Sequence, residues 1–117
     1  MLLADDAAGD GMQAGIDIGP FVDEAQMNTV LRYVEIGRKE CGDPLCGGRR
    51  LSDGALANGY FVEPTVFAGV EEKHTIAQEE IFGPVGVVIK FVDEEGTRCV
   101  SLLFPPLPSS SSFVDFV

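Results

Sequence analysis

The run from Val85 to Phe91 is apolar almost without a break, with Val87, Val88 and Ile89 at its centre. That length and β-branched content read as a strand buried on both faces, the habit of a parallel sheet. Such a strand constrains its chain more than any amphipathic element does, because it needs strand neighbours at its edges and cover above and below. At 117 residues the chain is one domain or part of one. Its 45% hydrophobic content supplies a core only if every element that core needs is present.

The strongest helix signal lies earlier. Asp23 reads as an N-cap with Gln26 three residues on, a capping-box arrangement. Met27, Val30, Leu31 and Val34 then follow at helical spacing, which predicts an amphipathic helix over roughly 23–41. Arg38 and Lys39 suit its C-terminal dipole, and Gly42 suits its end. Residues 1–19 read as a Gly- and Asp-rich loop, and Pro44-Leu45-Cys46 as a short strand. Arg49 to Gly59 is polar, with turn signals at Ser52-Asp53-Gly54 and Asn58-Gly59. Tyr60-Phe61-Val62 and Thr65-Val66-Phe67 are β-prone segments separated by Glu63-Pro64, and the proline argues for an edge or a bend. Ile76 to Glu80 predicts a short helical turn closed by Gly83-Pro84. From about residue 97, Pro105-Pro106, Pro108 and Ser109 to Ser112 predict an irregular tail.

A net charge of −11 argues against nucleic acid and anionic membrane surfaces as partners. No apolar run approaches the roughly 20 residues of a membrane-spanning helix, and the first residues lack the basic and apolar regions of a signal peptide. Cys41, Cys46 and Cys99 make no even disulfide framework and suit a reducing compartment, so a soluble cytoplasmic protein is the expectation. Together with His74 these cysteines lack the CxxC clip of a zinc site, and no metal site is predicted. His74 itself, in a polar loop after Glu71-Glu72-Lys73, reads as a surface histidine.

Four patches in order resemble one family. They are Gly9 to Pro20, the helix from Asp23 through Gly37, Gly59-Tyr60-Phe61-Val62-Glu63-Pro64-Thr65-Val66-Phe67, and Gln78-Glu79-Glu80-Ile81-Phe82-Gly83-Pro84-Val85. Over roughly residues 9–93 the chain resembles part of the catalytic domain of NAD(P)-dependent aldehyde dehydrogenases, after the nucleophile. The resemblance implies an α/β fold, here one long helix plus several strands of an incomplete sheet. Residues 1–96 are then expected to be a partial catalytic domain, and residues 97–117 an unrelated tail.

Site residues follow from the same resemblance. Glu80 matches the carboxylate that binds the nicotinamide-ribose hydroxyls, while Glu79 beside it reads as solvated. Phe82 matches an aromatic beside the nicotinamide ring, and ordinary core packing is its alternative. Gln26 matches a contact to the adenosine side of the cofactor, or is simply the capping-box residue. A lysine common three residues later is Thr29 here. No catalytic residue is expected: in the family a cysteine thiolate attacks the aldehyde, hydride passes to the cofactor, and a glutamate base activates water to release the acid. Those parts should lie upstream, and Cys46 matches only a structural position.

The expected reading is therefore a fragment of an enzyme that oxidises an aldehyde to a carboxylic acid with NAD or NADP. Alone it is expected to be inactive, marginally folded and a weak dinucleotide binder or none. The alternatives are a non-catalytic chain that docks on a full-length paralogue, or an incomplete gene model.

Overall fold

A computed structural model describes residues 7–90. Phe91, Cys99 and the Pro/Ser-rich tail lie outside them.

The helix forms where its pattern placed it. Helix α1 spans Glu24–Cys41, and Asp23 before it is extended, with φ −154° and ψ 173°. The Asp23 carboxylate accepts from the Gln26 backbone N–H at 2.8 Å, which satisfies one of the orphan donors of the first turn. Glu24 in that turn and Arg38 and Lys39 in the last complement the helix dipole. The chain leaves the helix at Gly42 with φ +89°. Met27, Val30, Val34 and Gly37 form the buried stripe.

That stripe lies on β-structure. Strand β1 is Arg50–Leu51, β2 is Phe61–Val62, β3 is Thr65–Val70 and β4 is Val85–Ile89. β1 and β2 pair antiparallel, Arg50 opposite Val62 and Leu51 opposite Phe61. A 3₁₀ turn over Gly54–Asn58 joins them. Pro64 ends β2, and the chain then enters a different sheet as β3, the bend its position predicts. β3 and β4 are parallel, with Thr65 opposite Val85 and Phe67 opposite Val87, and the register slips between Ala68 and Val70. A parallel pair needs a crossover of a dozen or more residues. The segment between the two strands supplies it and carries helix α2, Thr75–Gln78.

Phe67, Met27, Ile76, Val30, Val34 and Val62 are the largest apolar side chains that are fully buried. Phe67 projects from β3 onto α1 at Gly37, where a Cβ would lie 2.8 Å from the ring. Glycine inside a helix costs about 1 kcal/mol relative to alanine, and here it admits the largest residue of the core.

Three expectations need correction. Pro44-Leu45-Cys46 is not a strand. It makes only an isolated bridge between Cys46 and Val66, with Leu45 N–H donating to Val66 O at 2.7 Å, because Gly47 and Gly48 turn the chain away at once. The polar stretch after Arg49 contains β1, held beside β2 by the Arg49–Glu63 ion pair at 3.2 Å and by Glu63 N–H to Arg49 O at 2.9 Å. Burial of β4 on both faces holds for Val85, Gly86 and Val87, whereas Val88 is 38% exposed. Among the described residues β3 is the only strand beside β4.

Candidate functional site

After α2 the chain runs extended through Glu79, with φ −109° and ψ 142°. Exposure then differs from one residue to the next over Glu80, Ile81 and Phe82. Ile81 points inward and is buried, while Glu80 and Phe82 on either side of it are exposed. Gly83 lets the segment lie against α1, since a Cβ there would meet Val30 at 2.7 Å and the Phe21 ring at 3.2 Å. Pro84 O accepts from Thr65 N–H at 2.8 Å and launches β4 alongside β3.

Phe82 is 70% exposed, so core packing does not explain it among the described residues. The Glu80 carboxylate is exposed and makes no hydrogen bond or ion pair among those residues. Gln26 is drawn to the same place. Its Nε2 donates to Phe82 O at 2.8 Å across 56 residues of sequence. Only half of the expected capping box therefore forms: Asp23 accepts from Gln26 N–H, but the Gln26 side chain turns to the loop instead of back to Asp23. Thr29 donates its hydroxyl to Ala25 O at 2.9 Å and lies along its own helix. Gln26 and Phe82 thus meet, with Glu80 two residues before the shared carbonyl.

Residues that sequence patterns did not mark hold this segment. Tyr33 donates its hydroxyl to Glu79 Oε2 at 2.6 Å, so Glu79 is engaged rather than simply solvated. That bond to the carboxylate raises the Tyr33 phenol above its ordinary value, with burial and the Glu79 charge acting in the same direction. The Arg32 guanidinium lies 5.4 Å from the centre of the Tyr33 ring. Glu40 accepts from Thr75 Oγ1 at 2.7 Å and from Thr75 N–H at 2.8 Å. The Thr75 hydroxyl, more than anything else, holds the Glu40 carboxyl below its ordinary value. No local signal marks these pairs, because each spans 35 residues or more.

His74 corrects another expectation. It is 9% exposed, not a surface side chain, and its Nδ1 accepts from Glu71 N–H at 3.1 Å. The reciprocal bond from His74 N–H to Glu71 O, at 2.9 Å, closes a tight turn that folds the ring inward ahead of α2. The Lys73–Glu71 pair at 2.7 Å lowers the Glu71 carboxyl on the outside of that turn.

Both described thiols lie beside backbone carbonyls. Cys41 Sγ donates to Gly37 O at 3.0 Å, and burial, then the Glu40 charge, raise its thiol above the ordinary value. Cys46 Sγ lies 3.9 Å from Pro64 O. Among the described residues no group of three or more His, Cys, Asp or Glu side chains is arranged to hold a metal ion. No helix among them is long and apolar enough to cross a membrane.

Residues 4–98 match the sequence model of the aldehyde dehydrogenase family. The chain is 43% identical over 82 residues to an alpha-ketoglutaric semialdehyde dehydrogenase of Bacillus subtilis, covering 70% of this chain and 17% of that protein. It is 51% identical over 73 residues to a mitochondrial aldehyde dehydrogenase of Equus caballus, covering 62% of this chain and 14% of that one. In structure it is similar to a Mycobacterium tuberculosis aldehyde dehydrogenase solved in complex with NAD+, with a TM-score of 0.77 and 39% identity over 85% of this chain and 20% of that one. The chain spans less than a fifth of the length of these curated relatives.

Proposed function

Because the chain belongs to the aldehyde dehydrogenase family, we propose that residues 79–83, together with the first turn of α1, form one wall of a nicotinamide-dinucleotide site. The observation that carries this reading is the exposed pair beside a tethered backbone. Phe82 stands 70% exposed and Glu80, two residues before it, is exposed as well, while Gln26 fixes the carbonyl between α1 and the loop. A carboxylate has two acceptor oxygens and suits the vicinal hydroxyls of a ribose. Phe82 offers an apolar face that limits the mobility of a nicotinamide ring and excludes water. Gln26 keeps its amide oxygen as an acceptor for the adenosine side. When bound, the dinucleotide takes up hydride; this chain's part is to orient it.

The parent reaction is oxidation of an aldehyde to a carboxylic acid with NAD or NADP, and residues 1–96 belong to the domain that performs it, with 97–117 outside that domain. This chain alone contributes a wall and not the nucleophile. Cys41 is bonded into its own helix with a raised thiol, which supports that reading. Titration with NAD, followed by amide chemical shifts, is expected to give weak binding with changes concentrated at Gln26 and Glu80 to Gly83. Phe82→Ala and Glu80→Ala should each abolish them. Changes centred elsewhere, or none at millimolar NAD, contradict the assignment. Aldehyde turnover by the purified chain that Cys46→Ala removes would contradict the placement of the nucleophile.

A second reading has its own support. β4 has no strand on its second edge among the described residues, and Val88 is exposed beside it. Unpaired edges and uncovered apolar faces favour association, here with a full-length paralogue. Co-purification with such an enzyme supports it, and a strictly monomeric, soluble chain counts against it.

A further inference from the structure

Helix α1 carries a second ordered face beside its apolar stripe. Gln26, Tyr33 and Glu40 stand seven residues apart, and seven residues fall about 20° short of two full turns. The three side chains therefore follow one line along the helix, about 10.5 Å from one to the next. Each reaches the same distant segment. Gln26 Nε2 donates to Phe82 O at 2.8 Å, and Tyr33 Oη donates to Glu79 Oε2 at 2.6 Å. Glu40 accepts from both the hydroxyl and the N–H of Thr75, at 2.7 and 2.8 Å. The partners occur in reverse order, Phe82, Glu79, Thr75, so residues 75–82 lie antiparallel along the helix.

Apolar contacts do not account for this. Ile76, Ala77 and Ile81 are buried and seat the inner side of the segment. Apolar contacts are non-directional, so they leave the outer side chains free to swing. The polar line fixes what they cannot: where α2 begins, the Glu79 side chain, and the Phe82 carbonyl. Glu79 and Phe82 bracket Glu80. A single exposed hydrogen bond contributes little, but three anchors in order along α1 fix the position of α2 and of the residues after it.

We propose that Gln26, Tyr33 and Glu40 form a positioning seam that preorganises Glu80 and Phe82, with Tyr33 its central positioning residue. The proposal rests on reading Glu80 and Phe82 as a dinucleotide wall. Preorganisation reduces what a ligand must spend on ordering its site.

The test compares variants of the full chain by amide hydrogen exchange and by NAD titration. The reporter amides are Glu79 and Gly83, which donate to Thr75 O and Ile81 O. Tyr33→Phe is expected to raise exchange at both several-fold, leave β3 and β4 unchanged, and weaken NAD about threefold. Glu79→Gln keeps an acceptor for the phenol and should retain wild-type exchange. Glu79→Ala should reproduce Tyr33→Phe, and the double variant should be no worse than either single change. Unchanged exchange in Tyr33→Phe overturns the seam, as does a Glu79→Gln variant as impaired as Glu79→Ala. If the wild-type chain binds no NAD, the dinucleotide reading fails, and the exchange measurements still decide the seam: increases confined to residues 79–83 uphold it, and none overturns it.

Discussion

Helix α1 and the segment from Thr75 to Gly83 are held by opposite means. α1 has 18 residues, its own Asp23 cap, charges that suit its dipole, and an apolar stripe with helical period. Helix α2 has four residues, and His74 at its N-cap gives it no side-chain cap. Its start depends on Glu40, its end on Tyr33, and the loop after it on Gln26 and on the fit of Gly83 against Val30. One element is complete by itself, and the other borrows its order from the first. On the proposed reading, side chains kept free to meet a dinucleotide cannot also hold their own backbone, so Glu80 and Phe82 need a neighbour that does.

The largest test removes what both regions share. Phe67→Ala empties the contact between β3 and Gly37 of α1 and should cost about 3–5 kcal/mol, enough to lower a urea midpoint for helix and loop together. Gly83→Val should separate them. Its side chain would meet Val30 and Phe21, an overpacking cost of roughly 1–3 kcal/mol. Far-UV helicity should persist while the NAD-induced shifts at Glu80 and Phe82 disappear. Asp23→Ala acts from the other side, removing the cap of α1 at about 1 kcal/mol. Fraying of that first turn also loosens Gln26, so exchange should rise at Gly83 as well as in the helix.

The smallest effects come with pH and fall on the borrowed element. The Glu40 carboxyl is lowered chiefly by the Thr75 hydroxyl. Its contribution is therefore complete above the ordinary value of 4.5 and is lost as pH falls through the lower folded value. The Thr75 amide shift should report a transition below 4.5 that Glu40→Gln abolishes. Tyr33 is the mirror case. Its phenol is raised, first by the bond to Glu79, so its contribution is complete below 10.0 and lost as pH climbs through the higher folded value. The Tyr33 ring signal should titrate later than that of a free tyrosine, and Glu79→Ala should bring it back.

The same contrast sets what the sequence revealed. Asp23, Met27, Val30 and Val34 announced α1 because cap and stripe lie within a few residues of one another. Phe61, Val62 and Thr65 to Phe67 announced strands, and the apolar run after Pro84 announced β4. The family motif pointed to Glu80 and Phe82, and Gln26 to the adenosine side or a capping box, not to the Phe82 carbonyl it meets. What stayed illegible is non-local. Gln26 reaches across 56 residues, Tyr33 across 46 and Glu40 across 35, so no window of neighbouring residues contains either pair member's reason. His74 is buried by a turn whose hydrogen bonds its polar neighbours do not advertise. The seven-residue spacing of Gln26, Tyr33 and Glu40 was present all along, but three polar residues of different kinds form no pattern until their partners are known.

The central claim is that the Phe82 ring stands free because it is a wall of the dinucleotide site. Intermolecular NOEs between the Phe82 ring protons and NAD in the titrated chain test it most directly. Cross-peaks to the nicotinamide ring, lost in Phe82→Ala, are the predicted result. Cross-peaks from Phe82 to the adenine instead, or none while other residues respond to NAD, would contradict it.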